Sequence, residues 1–289
     1  MALLVVLAGC SNANGGKASG PKPDADPAVS TTVTTAQAHG AVPDPTTVTT
    51  AVAPTVPAVP AAPATTTTTA PDGSLLPGMQ GDAVRALQTR LVGLHYDPGP
   101  QDGRYGPGLV SAVMAFQKVV GLPRNGRSTP DVLAAVAAAA DPGPLLADGG
   151  ATRVEIDFKR QVLFFWRDGA LLRILPVSTG NGRKYCEEGV CGVAVTPSGS
   201  YRVERRIKGK RKSYLGLLYD PLYFKGGYAI HGSPSVPASP ASHGCVRIPL
   251  HVSVWFYDNV PNRTPVYLIG GRNPATPLPP EAPTQPPPG

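Results

Sequence analysis

The hydrophobic period of this chain changes once, and that change limits it to two kinds of packed structure. Val84, Leu87, Leu91 and Leu94 recur at three- and four-residue spacing, as do Val113, Phe116 and Val120, so each segment carries one apolar helical face. A third helix is expected after Thr129, a suitable N-cap followed by Pro130 at the first helical position and Asp131 in the first turn. From Ala151 the spacing becomes two. Val154, Ile156 and Phe158 alternate with Glu155 and Asp157, and Lys159-Arg160 turn the chain into the apolar run from Gln161 to Trp166. Arg167-Asp168-Gly169 marks a second turn into Leu171–Val177, and further strands are expected around 199–207, 227–231 and 265–269. A helix is expected to begin near Pro249–Ser253 and run toward Tyr257, with Trp166 and Trp255 as core residues. The reading is a multi-domain chain: a small all-α unit of three helices at 75–142, then a mostly-β unit at 151–270, each large enough for its own core.

The remainder cannot join either core. Residues 11–74 are built of Thr, Ala, Pro and Val, with no aromatic residue and no period, and bury too little to fold. At ~3.1 Å per residue such a tether reaches on the order of 200 Å when fully extended. Residues 272–289 are Pro-rich in the same way. The 35 prolines among 289 residues fall mostly in these two stretches, so average composition describes neither folded unit.

The chemistry concentrates in Ser242-His243-Gly244-Cys245-Val246-Arg247, with His231-Gly232 eleven residues before Ser242. A cysteine attacks carbonyl carbon as thiolate, and a nearby imidazole can take its proton and return it to a leaving amine. The competing reading is a small buried cysteine beside a satisfied core histidine. The Gly-Cys junction favours catalysis, because glycine permits close backbone approach and leaves amides free to face an oxyanion. No four ligands stand at zinc spacing, so neither a metal nor another cofactor is expected.

Together with Val177-Ser178-Thr179-Gly180, Thr196-Pro197-Ser198-Gly199-Ser200-Tyr201 and Tyr228-Ala229-Ile230, this motif resembles the signature of the L,D-transpeptidases, bacterial enzymes that cross-link peptidoglycan. The resemblance covers residues 151–270 and implies a β-sandwich with the motif at one end. It implies Cys245 as nucleophile and His231 as general base, with the Gly232 carbonyl setting the imidazole tautomer. His243 would point the same way as Cys245 if the segment were extended, assisting the base or lining the donor site. The amides of Gly244 and Cys245 are candidates for the oxyanion hole, and Ser242 and Tyr214 for the donor groove. Arg247 stands where some members carry Asn, and either holds a substrate carboxylate or braces the loop. The interval from His231 to Ser242 is shorter than in many members, so a small loop over the site is expected. The implied reaction is 3-3 cross-linking through a cysteine thioester with release of D-Ala, a step that carbapenems would block by acylating Cys245. An L,D-carboxypeptidase and a non-catalytic wall-anchoring protein are the alternatives.

The helical unit is similar to the small peptidoglycan-binding domain often fused to wall enzymes. It carries an internal echo: Leu87-Gln88 matches Phe116-Gln117, and Gly93-Leu94 matches Gly121-Leu122. Asp102, Arg104 and Tyr105, on the loop between the first two helices, are candidate contacts to glycan or stem peptide, or turn formers. His95 has no evident partner in the sequence.

Leu7-Ala8-Gly9-Cys10 closes an apolar run and resembles a lipobox, with Cys10 as the lipidated residue; an ordinary secretory signal over residues 1–10 is the other reading. The expected location is extracytoplasmic, in the cell envelope, lipid-anchored at the outer face of the cytoplasmic membrane. In that oxidising setting Cys186 and Cys191 are expected to form a local disulfide, leaving Cys245 free. Net charge is +7, much of it in the run from Arg202 to Lys212. Nucleic acid is not expected as a partner of an exported chain, whereas anionic wall polymers and stem-peptide carboxylates suit the charge.

Overall fold

The computed structural model describes residues 69–271. Cys10, the leader at 1–10, most of the 11–74 tether and the 272–289 tail lie outside the described residues.

Three helices open the fold, α1 (Asp82–Gly93), α2 (Pro107–Val120) and α3 (Pro130–Ala138). Proline begins both α2 and α3, where a missing N–H removes no helical bond, and α2 stops at Gly121 in the left-handed conformation, φ 77°. Val84, Leu87, Leu91 and Leu94 are buried against Val113 and Phe116, whereas Val120, in the last turn of α2, is 44% exposed. The internal echo has a structural purpose. Gln88 Nε2 donates to Pro100 O and Arg104 O while its Oε1 accepts the Gly103 N–H. Gln117 Nε2 likewise donates to Arg127 O while its Oε1 accepts the Gly126 N–H. Each buried glutamine thus satisfies the backbone of the loop that follows its helix.

Tyr105 is not on the surface of that loop. It is 2% exposed, its hydroxyl bonded to Gly126 O at 2.9 Å and Ser128 Oγ at 2.8 Å, so it is a core residue with a satisfied polar tip. Asp102 and Arg104 are exposed, and Asp102 Oδ1 accepts from the Arg104 amide and from Gln88. His95 does find a partner, Asp141 Oδ2 at 3.0 Å, which is 46 residues away and invisible to local pattern.

The rest is two sheets and a hairpin. The strands are β1 (Arg153–Asp157), β2 (Val162–Arg167), β3 (Ala170–Pro176), β4 (Lys184–Glu187), β5 (Val190–Val193), β6 (Gly199–Arg202), β7 (Arg205–Arg206), β8 (Lys210–Ser213), β9 (Gly216–Lys225), β10 (Tyr228–Ser233) and β11 (Val246–Pro249). A 3₁₀ turn at Leu250–Val252 leads into α4 (Ser253–Asn259), and β12 (Pro265–Ile269) follows. The first sheet has the order β3-β2-β1-β12-β6, with β1 and β12 parallel. The second runs β11-β10-β9-β7, with β8 also on β9 and the β10–β11 pair parallel. Val154, Ile156, Leu163 and Phe165 from the first sheet meet Leu222, Phe224, Ile230, Val246 and Ile248 from the second, with Phe256 of α4. Each such side chain, fully buried, stabilises by roughly 2 kcal/mol.

The helical unit and the sandwich each have a core, and the helical one extends onto the sheet. The outer face of the first sheet, Val162, Phe164, Trp166 and Ile174, forms one continuous cluster with Tyr96, Leu109 and Phe116 of the helical unit. Glu155, on the polar side of the β1 alternation, is therefore wholly buried. Its carboxylate is satisfied by Arg153 Nε at 2.7 Å, Trp166 Nε1 at 3.2 Å and the amides of Leu145 and Leu146. Alternation had marked this face for solvent; tertiary packing covers it with helices, and a buried ion pair replaces a solvated glutamate.

Candidate active site

β10 and β11 lie side by side in parallel register, His231 opposite Arg247 and Ile230 opposite Val246. Ile230 and Val246 face the sandwich core, so His231 and Arg247 fall on the opposite face of the sheet. Cys245 is the residue just before β11 and packs on that same face, beside Leu218, Tyr223 and Ala229. Two adjacent strands therefore bring together side chains that are 14 residues apart in sequence, counting from His231 to Cys245.

The loop that presents Cys245 is held from within and from outside. Ser242 Oγ donates to Cys245 O and accepts the Gly244 N–H at 3.0 Å. Thr196 Oγ1 donates to Gly244 O at 2.6 Å and accepts the Gly180 N–H at 2.8 Å. Ala241 and Ser242 amides both donate to Thr179 O at 2.9 Å, and Ser178 and Arg247 exchange backbone bonds. Gly244 adopts φ +142°, and a Cβ there would stand 2.8 Å from the Tyr228 ring, so only glycine fits.

These bonds bear on two sequence expectations. Ser242 lines the cavity but is only 2% exposed, and its hydroxyl is engaged inside the turn, where it braces the loop. The Gly244 amide is held by that hydroxyl, which leaves the Cys245 amide as the candidate oxyanion donor. His243, Gly244 and Cys245 form a bend, so the alternate-residue geometry expected for His243 does not apply. Its ring instead meets the Tyr185 ring edge-on, with centroids 4.9 Å apart, and Nε2 lies 4.0 Å from Glu187 Oε1.

His231 Nδ1 lies 2.8 Å from Gly232 O. A carbonyl only accepts, so Nδ1 carries the proton and Nε2 keeps its lone pair. Burial drives the imidazole pKa down to about 4, with the Arg247 charge acting in the same direction against the Gly232 bond. Burial pushes the Cys245 thiol up, partly offset by the Ala229 amide and Arg247. The thiol lies 3.9 Å from Gly227 O. Both shifts oppose charge separation between the thiol and the imidazole.

Cys245, His231, His243 and Arg247 open onto one cavity of about 880 Å³. Tyr185, Tyr214, Tyr219 and Tyr228 form much of its wall, and Arg205 and Arg211 join Arg247, with no aspartate or glutamate in the lining among the described residues. No carboxylate pairs with Arg247 among the described residues. The β8–β9 hairpin, not only the short loop after His231, supplies a flank through residues 213–219. The β4–β5 hairpin supplies Tyr185 and turns through Glu188 and Gly189 at φ 48° and 78°, the pattern of a type I′ turn. Cys186 and Cys191 face each other across it and are joined by a disulfide, and Cys245 is a free thiol.

Thr196 and Tyr185 carry no individual role in the sequence reading, and Arg205 and Arg211 enter it only within the basic run 202–212 that suits anionic wall polymers and stem-peptide carboxylates. Thr196 and Tyr228 lie in motifs that mark the resemblance, which is the one signal pointing to them; Tyr185 and the two arginines reach the cavity only through strand pairing.

The family model for the L,D-transpeptidase catalytic domain matches residues 151–268, and that for a peptidoglycan-binding domain matches residues 80–136. The crystal structure of an L,D-transpeptidase from Xylanimonas cellulosilytica is 41% identical, covering 69% of this chain and 98% of that one, with a TM-score of 0.65. A more distant likeness is to an L,D-transpeptidase from Stackebrandtia nassauensis, 24% identical over 72% of this chain and 98% of that one, with a TM-score of 0.40. No curated protein matches the chain. With a peptidoglycan-binding helical unit packed on a two-sheet catalytic domain, and Cys245 and His231 brought to one face by adjacent strands, the chain is a member of the L,D-transpeptidase family.

Proposed function

We propose that the chain forms 3-3 peptidoglycan cross-links through a thioester on Cys245. The observation that carries this reading is the shared cavity: a free thiol, an imidazole whose Nε2 lone pair is fixed by Gly232, and three arginines with, among the described residues, no carboxylate in the lining. An anionic peptide donor suits that charge, and a tetrapeptide stem bearing several carboxylates is such a donor.

In the first half-reaction the Cys245 sulfur attacks the carbonyl joining diaminopimelate to terminal D-alanine, and its proton passes to His231 Nε2. The Cys245 amide faces the developing oxyanion. The tetrahedral adduct collapses, the amide C–N bond breaks, His231 returns the proton to the leaving amine, and D-alanine departs. An amine of a neighbouring stem then attacks the thioester, His231 accepts its proton, and the thiol is restored as the new amide forms. Tyr214 and Arg247 are assigned to donor binding, with Arg247 meeting a carboxylate. Asp102 and Arg104 are assigned to wall contact by the helical unit, and the location that this substrate requires is the cell envelope.

The test incubates the purified chain with a disaccharide-tetrapeptide and resolves products by mass. The expected result is a cross-linked dimer with equimolar D-alanine, both lost in Cys245→Ala. D-alanine without dimer identifies hydrolysis, and no release by a folded chain overturns the donor assignment.

A further inference from the structure

Lys118 of α2 is fully buried, at 0% exposure. Its ammonium donates to Val177 O at 2.9 Å and Gln161 O at 3.2 Å, and among the described residues no carboxylate pairs with it. Burial drives its pKa down to about 7. An apolar side chain of similar length would fill the same space without that desolvation penalty, so what Lys118 adds is directional donors.

The two carbonyls it grips lead directly to the catalytic loop. Val177 precedes Ser178 and Thr179. Ser178 N and O bond to Arg247 O and N at 3.2 and 3.0 Å, and Thr179 O accepts the amides of Ala241 and Ser242. Gln161 holds Thr179 from the other side, Oε1 accepting its amide at 2.9 Å and Nε2 donating to its hydroxyl at 2.9 Å. Gln161 itself sits at φ 59°, a left-handed backbone that its neighbours must maintain. The supports of the 241–247 loop through Ser178 and Thr179 thus follow directly on Val177 and are braced by Gln161, the two residues whose carbonyls Lys118 holds, while Asn181 and Thr196 hold the loop by separate bonds.

The geometry points to Lys118 as a positioning residue for Cys245: the wall-binding unit sets the catalytic loop through Gln161, Val177 and Thr179. Lys118 touches neither substrate nor reacting atoms. The inference rests on Cys245 being the nucleophile and adds that the helical unit is part of the machinery rather than a detachable tether. Misplacing a nucleophile by about 1 Å suffices to cost on the order of a hundred-fold in rate.

The test compares Lys118→Met with the unaltered full chain. Turnover is expressed per active site, counted by thiol titration at the Cys245 peptide, and the pH profile of iodoacetamide alkylation at that peptide is followed by mass. The expected result is a roughly ten- to hundred-fold fall in kcat with KM within about two-fold, and a displaced alkylation midpoint. A structural role alone lowers thermal stability while leaving kcat per folded site and the alkylation profile unchanged, and that result overturns the inference. Thr179→Val removes a downstream link without touching the helical unit and is expected to reproduce the loss; an unchanged alkylation profile in it overturns the inference even if Lys118→Met fails to fold. In the double variant the losses are expected to be non-additive, and strict additivity would contradict a shared path. Alkylation needs no turnover, so if the unaltered chain releases no D-alanine the functional reading fails while Lys118 remains testable.

Discussion

Thr196 Oγ1 donates to the Gly244 carbonyl over 2.6 Å, tying the strand-linking segment before β6 to the residue that precedes Cys245. Thr196 is 3% exposed and also accepts the Gly180 amide, so one hydroxyl satisfies two buried backbone groups. Thr196→Val keeps the shape and leaves both groups unpaired. We expect a stability loss of about 1–3 kcal/mol by urea unfolding. A fall in kcat of at least roughly ten-fold should accompany it. Unchanged turnover in the folded variant would show that the loop does not depend on this bond.

The depressed His231 pKa makes a distinct statement about acid pH. With the folded value at about 4 against an ordinary 6.5, the His231 imidazole stays neutral through the weakly acid range. The acid limb of kcat/KM should therefore have its His231 midpoint near 4 rather than near 6.5. Stability follows the same shift. Between these two values the unfolded chain binds a proton that the native chain does not, so native stability falls as pH drops from 6.5 through about 4. Urea unfolding across that range, compared with His231→Gln, isolates the effect; equal slopes in both proteins would contradict it.

Burial raises the Cys245 thiol, and Arg247 opposes that rise. Alkylation of the free enzyme by iodoacetamide should accelerate with pH about a midpoint above the ordinary thiol value, and Arg247→Met should move it higher still. A midpoint below the ordinary value would mean that thiolate and imidazolium already coexist in the resting site.

Arg153 and Glu155 form a buried pair, 6% and 0% exposed at their side chains. Removing one partner strands the other charge, so Arg153→Met should destabilise by about 3–5 kcal/mol. Adding Glu155→Leu should recover much of that loss, because no buried charge then remains. Matching urea midpoints for the single and double variants would show that the remaining glutamate is adequately held by Trp166 and the Leu145 and Leu146 amides.

Much of the architecture is readable from local pattern, and particular residues show where that legibility ends. The spacing of Val84, Leu87, Leu91 and Leu94 allows one helical face to be buried, and the turn residues around Lys159 and Asp168 delimit strands, so helices and sheets follow from periods of 3.6 and 2. The motif from Ser242 to Arg247 identifies the family because its residue types and order are unusual in combination. Periodicity, however, says only that a face is polar, and not what will cover it. Glu155, Lys118 and Tyr105 are all polar or amphipathic residues that tertiary contacts enclose; Lys118 and Tyr105 are satisfied by groups distant in sequence, Glu155 by Arg153 together with Trp166 and the Leu145 and Leu146 amides.

The sequence by itself therefore marked the three opening helices, α4, the strands β1 to β3, β6, β7, β10 and β12, and the candidate thiol and imidazole, whereas β4, β5, β8, β9 and β11 carried no signal that local pattern read. Tertiary structure alone decided that Ser242 and Gly244 hold the loop, that His243 turns toward Tyr185, and that Arg205 and Arg211 join Arg247 around one cavity. The physical reason is range. Local propensity acts through the backbone over a few residues, whereas hydrogen bonds and burial depend on which distant segments the two sheets and the helices bring together.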